Sequence, residues 1–178
     1  VLVCHPPEGV LNDNRCITSD SKLEHKKITF YNRYGIILAA DMYIPQNTSS
    51  KLPAIAISGP FGAVKEQSSG LYAQKMAEYG FLTIAFDPSF TGESGDSPRY
   101  VASPDINTED FCAAVDFLSV QENVDTDRIG IIGICGWGGM AINAAAQLEL
   151  AEPGVFIAKN PTVSCISGFP AYFMDRLR

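Results

Sequence analysis

The sequence predicts an α/β fold, a three-layer α/β/α sandwich with a mostly parallel sheet and an antiparallel N-terminal hairpin. After residue 52, short apolar segments alternate with helical ones. Such segments are typical of strands buried on both faces, as in a parallel sheet. Before them, segments 26–31 and 36–44 flank a turn that ends at Gly35, which indicates the hairpin. We expect an irregular lead-in over 1–22 and one domain over 23–178.

The individual elements follow from these patterns in chain order. Buried strands are predicted at 53–58, 81–86 and 128–134, with another short strand at 162–166. Helices are predicted over about 68–79, from a cap at Asn107 or Thr108 to about 119, and over about 136–148. Alternating strands and helices imply right-handed crossovers, so functional groups should gather at the carboxyl ends of the parallel strands.

Composition and charge exclude several classes of function. The net charge of −7 argues against a nucleic-acid partner, because phosphate neutralisation needs a surplus of Lys and Arg. The apolar runs are too short to span a bilayer, so no membrane partner is expected. The cysteines are odd in number and irregularly spaced, which disfavours a disulfide framework or zinc site and favours a cytoplasmic location. The five cysteines are Cys4, Cys16, Cys112, Cys135 and Cys165. No metal or cofactor is predicted.

The segment 130–140 (GIIGICGWGGM) is the most informative part of the sequence. A buried strand runs directly into a helix, with Cys135 at the junction, as in a nucleophile elbow of the form G-x-nucleophile-x-G. The helix N-terminus favours a thiolate there. The N–H of Gly136 would face a developing oxyanion. Residue 137 is Trp where the simplest elbow has Gly, so Trp137 must point away from the strand or line the pocket.

A second oxyanion donor is expected from the loop after the first parallel strand, Ser58-Gly59-Pro60-Phe61-Gly62-Ala63. Pro60 has no N–H, so the donor must be Phe61 or Gly62. We assign Phe61 to this role. Gly62 and Trp137 are predicted to line the substrate pocket.

Over about residues 26–148 the sequence resembles the α/β-hydrolase superfamily. The resemblance rests on the elbow, the Gly-rich loop and the segment Asp87–Gly95 (DPSFTGESG). It looks most like dienelactone-hydrolase-like and Xaa-Pro-peptidase-like esterases and the related fungal polyketide transferases. The resemblance implies attack by Cys135 on a small-molecule ester, thioester or lactone, through an acyl-enzyme. Dienelactone hydrolases are known for a Cys nucleophile. The resemblance also implies that the domain over 23–178 is C-terminally incomplete.

The resemblance further implies an acid and then a His after the nucleophile. This sequence has only His5 and His25, both before Cys135, so the base is expected from outside the chain. His25 is predicted to be solvated. Asp175 is a candidate acid, and Asp87 is expected to organise its loop rather than to act in catalysis.

Two alternatives stay open at the level of sequence. One is a non-catalytic α/β-hydrolase-like domain, or inactive fragment, that binds a small molecule. The other is a flavodoxin-like nucleotide binder. A dinucleotide-binding interpretation of the glycines at 133, 136 and 138 is also weak, because these glycines follow the third parallel strand, whereas a dinucleotide-binding fingerprint opens the first strand–helix unit. An incomplete sheet would expose an edge strand, which leaves room for a homo-oligomer.

Overall fold

The computed structural model describes residues 23–46, 50–148, 158–160 and 163–165. In these ranges the main sheet has five strands, and three helices lie between or after its strands in the chain. Two further short strands form a separate hairpin. The main strands are β1 (Leu23–Tyr31), β2 (Ile37–Pro45), β3 (Leu52–Ser58), β4 (Leu82–Phe86) and β5 (Val124–Gly133). The helices are α1 (Ser68–Glu78), α2 (Pro104–Ser119) and α3 (Trp137–Gln147), and the hairpin consists of β6 (Ala158–Asn160) and β7 (Val163–Cys165).

The spatial order of the main sheet is β1-β2-β4-β3-β5. Strand β3 is parallel to both β4 and β5, whereas β2 is antiparallel to both β1 and β4. The β1–β2 turn contains Gly35 at φ +76°, a left-handed conformation that glycine adopts without a Cβ clash. The carboxyl ends of β3, β4 and β5 therefore lie along one edge of the sheet.

Both faces of the sheet are covered, which confirms the three-layer α/β/α class. On one face, Ala73, Met76 and Ala77 of α1 pack with Ile55 and Ile57 of β3. On the other face, α2 and α3 form a larger core with the remaining strand side chains. Continuous burial along β3 and β4 explains why these strands are apolar at nearly every position.

Two element boundaries differ from the sequence prediction. Helix α2 begins at Pro104 with Ser103 as its N-cap, so a cap at Asn107 or Thr108 is wrong. The reason is local: Pro104 suits the first helical turn, and the Asn107 side chain accepts a hydrogen bond from the Ser103 N–H at 2.9 Å. Strand β5 starts at Val124, earlier than predicted, while β7 lies inside the strand predicted at 162–166.

The predicted lead-in over 1–22 lies outside the described residues. Among the helices of the described ranges, none is long and apolar enough to cross a membrane.

Candidate active site

The junction of β5 and α3 has the geometry of a nucleophile elbow. Strand β5 ends at Gly133, Cys135 has φ +62°, and Gly136 is the N-cap of α3. A non-glycine residue at positive φ is strained, and the surrounding structure must hold it in place. The predicted turn, with a cysteine at its tip, is therefore present in the backbone.

Gly133 shows why the residue two before the nucleophile must be small. A Cβ built on Gly133 would lie 2.7 Å from the carbonyl carbon of Trp137 and 2.8 Å from Cβ of Ala141. Ordinary carbon–carbon contacts are about 3.5–4.0 Å. The first turn of α3 thus packs directly on the end of β5, and this contact sets the direction of the helix behind Cys135.

Cys135 is a free, partly buried thiol at the start of α3. The first N–H groups of a helix lack intrahelical acceptors and carry a partial positive charge, which favours an anion beside them. Within residues 50–148, the N–H groups of Gly136 and Phe61 have no backbone acceptor.

The loop that follows β3 lies against the elbow. The N–H of Ile134 donates to the Ser58 carbonyl at 3.0 Å, which fixes the start of the loop to the end of β5. A Cβ on Gly59 would lie 2.8 Å from Cδ1 of Trp137, and a Cβ on Gly136 would lie 2.6 Å from Cδ2 of Phe61. Phe61 and Gly136, which are 75 positions apart in the sequence, are thus in contact.

Trp137 is 3% exposed and packs as a core side chain. Its ring lies 5.5 Å from that of Phe61 and 6.3 Å from that of Phe111, measured between centroids. Gly59 provides the space that this indole needs, which is how the elbow tolerates Trp at this position. Trp137 therefore packs against the loop after β3, and its place in the substrate pocket stays a prediction. Gly62, at φ +75°, has open space beside its Cα.

His25 lies far from the elbow. Strands β1 and β5 are the two edges of the five-stranded sheet, four inter-strand steps of about 4.8 Å apart, or about 19 Å. His25 lies on the exposed side of β1, yet its Nε2 is 3.0 Å from Oδ1 of the buried Asp41 and its ring stacks on Tyr43. The imidazole is therefore engaged at the sheet edge and is too distant to act as base for Cys135.

Asp87, at the end of β4, is fully buried and engaged in its loop. Its carboxylate accepts from the N–H of Lys65 at 2.7 Å, from Nζ of Lys65 at 3.1 Å and from the N–H of Glu93 at 2.9 Å. These bonds agree with the predicted loop-organising role. Asp175 lies outside the described residues.

Two buried polar clusters were missed by sequence reasoning. The first centres on Lys65 and Asp87. In the second, Asp110 accepts from Asn32 at 2.8 Å, from the N–H and hydroxyl of Ser89 at 2.9 and 2.7 Å, and from Asn107 at 3.0 Å. The only signal in the sequence was the polar Asn107 and Asp110 within an amphipathic helix, which does not identify their partners. In the described part of the chain, no group of His, Cys, Asp and Glu could hold a metal ion.

A buried strand, a left-handed residue two positions after its end, a helix that follows and a Gly-rich loop beside them are typical of the α/β-hydrolase fold. The profile of the X-Pro dipeptidyl-peptidase (S15) family matches residues 34–174, so the chain belongs to that family.

Two relatives are similar to the chain in sequence. The uncharacterized protein PA2218 of Pseudomonas aeruginosa is 72% identical over 127 residues, which are 71% of this chain and 34% of that protein. Its crystal structure superposes with a TM-score of 0.75 at 63% identity, over 80% of this chain and 44% of the other. The thiohydrolase aneE of Aspergillus aculeatus is 31% identical over 121 residues, 68% of this chain and 37% of that protein.

A third match, the α/β hydrolase GrgF from Penicillium, is 23% identical with a TM-score of 0.68, over 76% of this chain and 45% of the other, and it shows the fold. A polyketide transferase and a dienelactone hydrolase-like structure also match, as the sequence resemblance implied. The chain spans between about a third and two fifths of the length of the curated relatives named here.

Proposed function

We propose that this chain carries the nucleophile and oxyanion-binding half of a hydrolase that acts on an ester, thioester or lactone carbonyl of a small molecule. The observation that carries the proposal is the position of Cys135 at positive φ between β5 and α3, with Gly136 next to it in the chain and the ring of Phe61 packed against Gly136. The name of a related thiohydrolase agrees with a thioester or ester substrate.

The proposed chemistry begins with attack of the Cys135 sulfur on the carbonyl carbon. The carbonyl oxygen becomes an oxyanion, which Gly136 and Phe61 would stabilise by donating their N–H groups. Collapse of this intermediate breaks the bond to the alcohol or thiol, which leaves with a proton, and the acyl group stays on sulfur as a thioester. Water then attacks the thioester and releases the acid, or another acceptor takes the acyl group; in either case the Cys135 thiol is restored.

Acylation and turnover place different demands on the protein. No histidine follows Cys135 in this sequence, and β1, which carries His25, lies about 19 Å from β5 by strand spacing. Acylation by an activated ester needs only a thiolate and oxyanion donors, whereas efficient deacylation needs a general base. Acylation is therefore the step that this chain is proposed to perform, and turnover would need a base from elsewhere.

The test is acylation by p-nitrophenyl acetate, followed by release of p-nitrophenolate and by mass spectrometry of the intact protein and its peptides. We expect a stoichiometric burst and one acetyl group on Cys135. Cys135→Ala should abolish the burst, while the matched variant Cys112→Ala, at a buried cysteine, should retain it.

Failure of acylation in a folded wild-type protein would contradict the proposal. It would favour instead a non-catalytic α/β-hydrolase-like domain that binds a small molecule.

A further inference from the structure

Lys65 is a lysine whose ammonium group is buried. Its side chain is 1% exposed, although it belongs to the loop between β3 and α1. Three carboxylates surround Nζ: Glu93 at 2.7 Å, Glu66 at 2.8 Å and Asp87 at 3.1 Å. Burial disfavours the charged form, but hydrogen bonds to Glu66 and Glu93 and the charge of Asp87 outweigh burial and raise the pKa of Lys65. The ammonium group therefore stays charged.

Asp87 binds Lys65 at two points, side chain and backbone. One carboxylate oxygen accepts from the Lys65 N–H at 2.7 Å, and the other accepts from Nζ at 3.1 Å. The Glu93 N–H donates to the same carboxylate, and a Cβ on Gly92 would lie 2.6 Å from its Oδ1. The loop after β4 thus wraps closely around Asp87. Charge-assisted bonds of this kind are the stronger hydrogen bonds of proteins.

This ion pair fixes one end of the loop that carries Phe61. The other end is fixed at Ser58, whose hydroxyl donates to the Phe86 carbonyl at 3.0 Å and whose carbonyl accepts from Ile134. Between these anchors, the N–H of Ala63 donates to the Pro60 carbonyl at 3.2 Å. Phe61 itself is half exposed. Its N–H is therefore positioned by the anchors on either side more than by burial of its own side chain.

Helix α1 is held at the same point. A Cβ on Gly70 would lie 2.6 Å from the Lys65 carbonyl oxygen, and the Ser69 hydroxyl donates to that oxygen at 3.4 Å. Lys65 consequently joins α1, the end of β4 and the Phe61 loop. Movement of Lys65 would be transmitted to Phe61, four residues earlier in the chain.

We infer that Lys65 and Asp87 form a positioning pair, which holds the Phe61 N–H where the oxyanion of an acyl-transfer reaction at Cys135 develops. This inference rests on the proposed function. Neither residue touches the reacting atoms in this account. Their contribution is the placement of one of two oxyanion donors.

Two reactions of the same thiol separate this role from general stability. Acylation of Cys135 by p-nitrophenyl acetate passes through an oxyanion. Alkylation by iodoacetamide forms the carbon–sulfur bond as iodide leaves, with no oxyanion at a carbonyl carbon. The ratio of the two rate constants therefore reports on oxyanion stabilisation, while partial unfolding or altered access changes both rates together.

The perturbing variant is Lys65→Met, which keeps a long unbranched side chain and removes the charge. Deleting an oxyanion donor lowers rates by about 10²–10³. A displaced donor should therefore lower the acylation-to-alkylation ratio by at least about tenfold. Glu93→Gln, at a half-exposed partner, retains the buried pair and should lower the ratio less. The matched control is Lys75→Met on α1, whose exposed partner is Glu78 and whose ratio should not change.

Lys65→Met leaves the buried Asp87 carboxylate without its cationic partner, which by itself destabilises the fold. The double variant Lys65→Met/Asp87→Asn removes both charges, so no unpaired charge stays buried at this position. It should fold and show the same lowered ratio. A folded single or double variant with the wild-type ratio would overturn the inference, even if its melting temperature fell. A wild-type protein whose Cys135 is alkylated but never acylated would instead overturn the proposed function, and the positioning role with it.

Discussion

Gly133 offers the most quantitative test of the elbow geometry. The perturbation is Gly133→Ala, which adds one methyl group where β5 meets α3. That methyl would lie 2.7 Å from the Trp137 carbonyl carbon and 2.8 Å from Cβ of Ala141. Because normal carbon contacts are about 3.5–4.0 Å, the strand end and the helix must separate by about 1 Å. The obstructing atoms include helix backbone, which cannot rotate away as a side chain could.

Overpacking of this kind costs about 1–3 kcal/mol. For a chain of this size, 1 kcal/mol corresponds to about 2–4 °C in melting temperature, so Gly133→Ala should melt about 2–12 °C below wild type. The matched control is Gly139→Ala in the first turn of α3. Gly139 is exposed, with no atom within 4 Å of an added Cβ. Alanine is the better helix former by up to about 1 kcal/mol, so this variant should melt at or above the wild-type temperature.

The assay is thermal unfolding followed by circular dichroism, with acylation of Cys135 measured on each folded variant. Gly133→Ala should also acylate more slowly, because a displaced α3 moves the Gly136 N–H. A Gly133→Ala protein within about 1 °C of wild type would refute the close approach of β5 and α3. A Gly139→Ala protein that melts below wild type would refute the open space found beside Gly139.

Two further predictions concern titratable groups. Burial raises the pKa of the Cys112 thiol to about 11, so near neutral pH iodoacetamide should alkylate Cys135 at least about tenfold faster than Cys112. Peptide mapping of the native protein measures both rates, and equal rates would contradict the burial of Cys112. Burial also raises the pKa of the Asp110 carboxyl above 3.8, although hydrogen bonds from Asn107, Ser89 and Asn32 act to lower it. The folded state therefore binds this proton more tightly than the unfolded chain, and the resulting stabilisation is lost as pH rises through the raised pKa. Denaturant titrations should show that the free energy of unfolding of wild type falls, relative to that of Asp110→Asn, as pH rises from below 4 towards neutral. A difference between the two proteins that does not change with pH would contradict the raised pKa.

The elbow was predictable because its determinants are local in sequence. A buried strand, a small residue at 133, a cysteine and a helix start occupy consecutive positions, and backbone sterics leave few conformations for such a segment. The hairpin was equally local, since Gly35 marks its turn and apolar residues mark its strands. Each of these signals depends on neighbours in the chain rather than on distant packing.

The support around the elbow was not predictable in the same way. Trp137 looked anomalous because its partner Gly59 is 78 positions earlier, and nothing in either segment identifies the other. Nothing in the sequence around Lys65 indicates its burial, because burial of an ammonium group depends on carboxylates contributed by the loop after β4. Long-range polar partners carry no periodicity, so they become visible only when the strands are placed side by side.

The most direct measurement of the central claim is a crystal structure of the protein after reaction with an aldehyde. Addition of a thiol to an aldehyde gives a hemithioacetal, whose oxygen occupies the place of the proposed oxyanion. The account predicts a bond from that carbon to the sulfur of Cys135, with the oxygen about 2.7–3.1 Å from the backbone nitrogens of Gly136 and Phe61. An adduct whose oxygen contacts neither nitrogen, or a protein modified elsewhere with Cys135 unreacted, would contradict it.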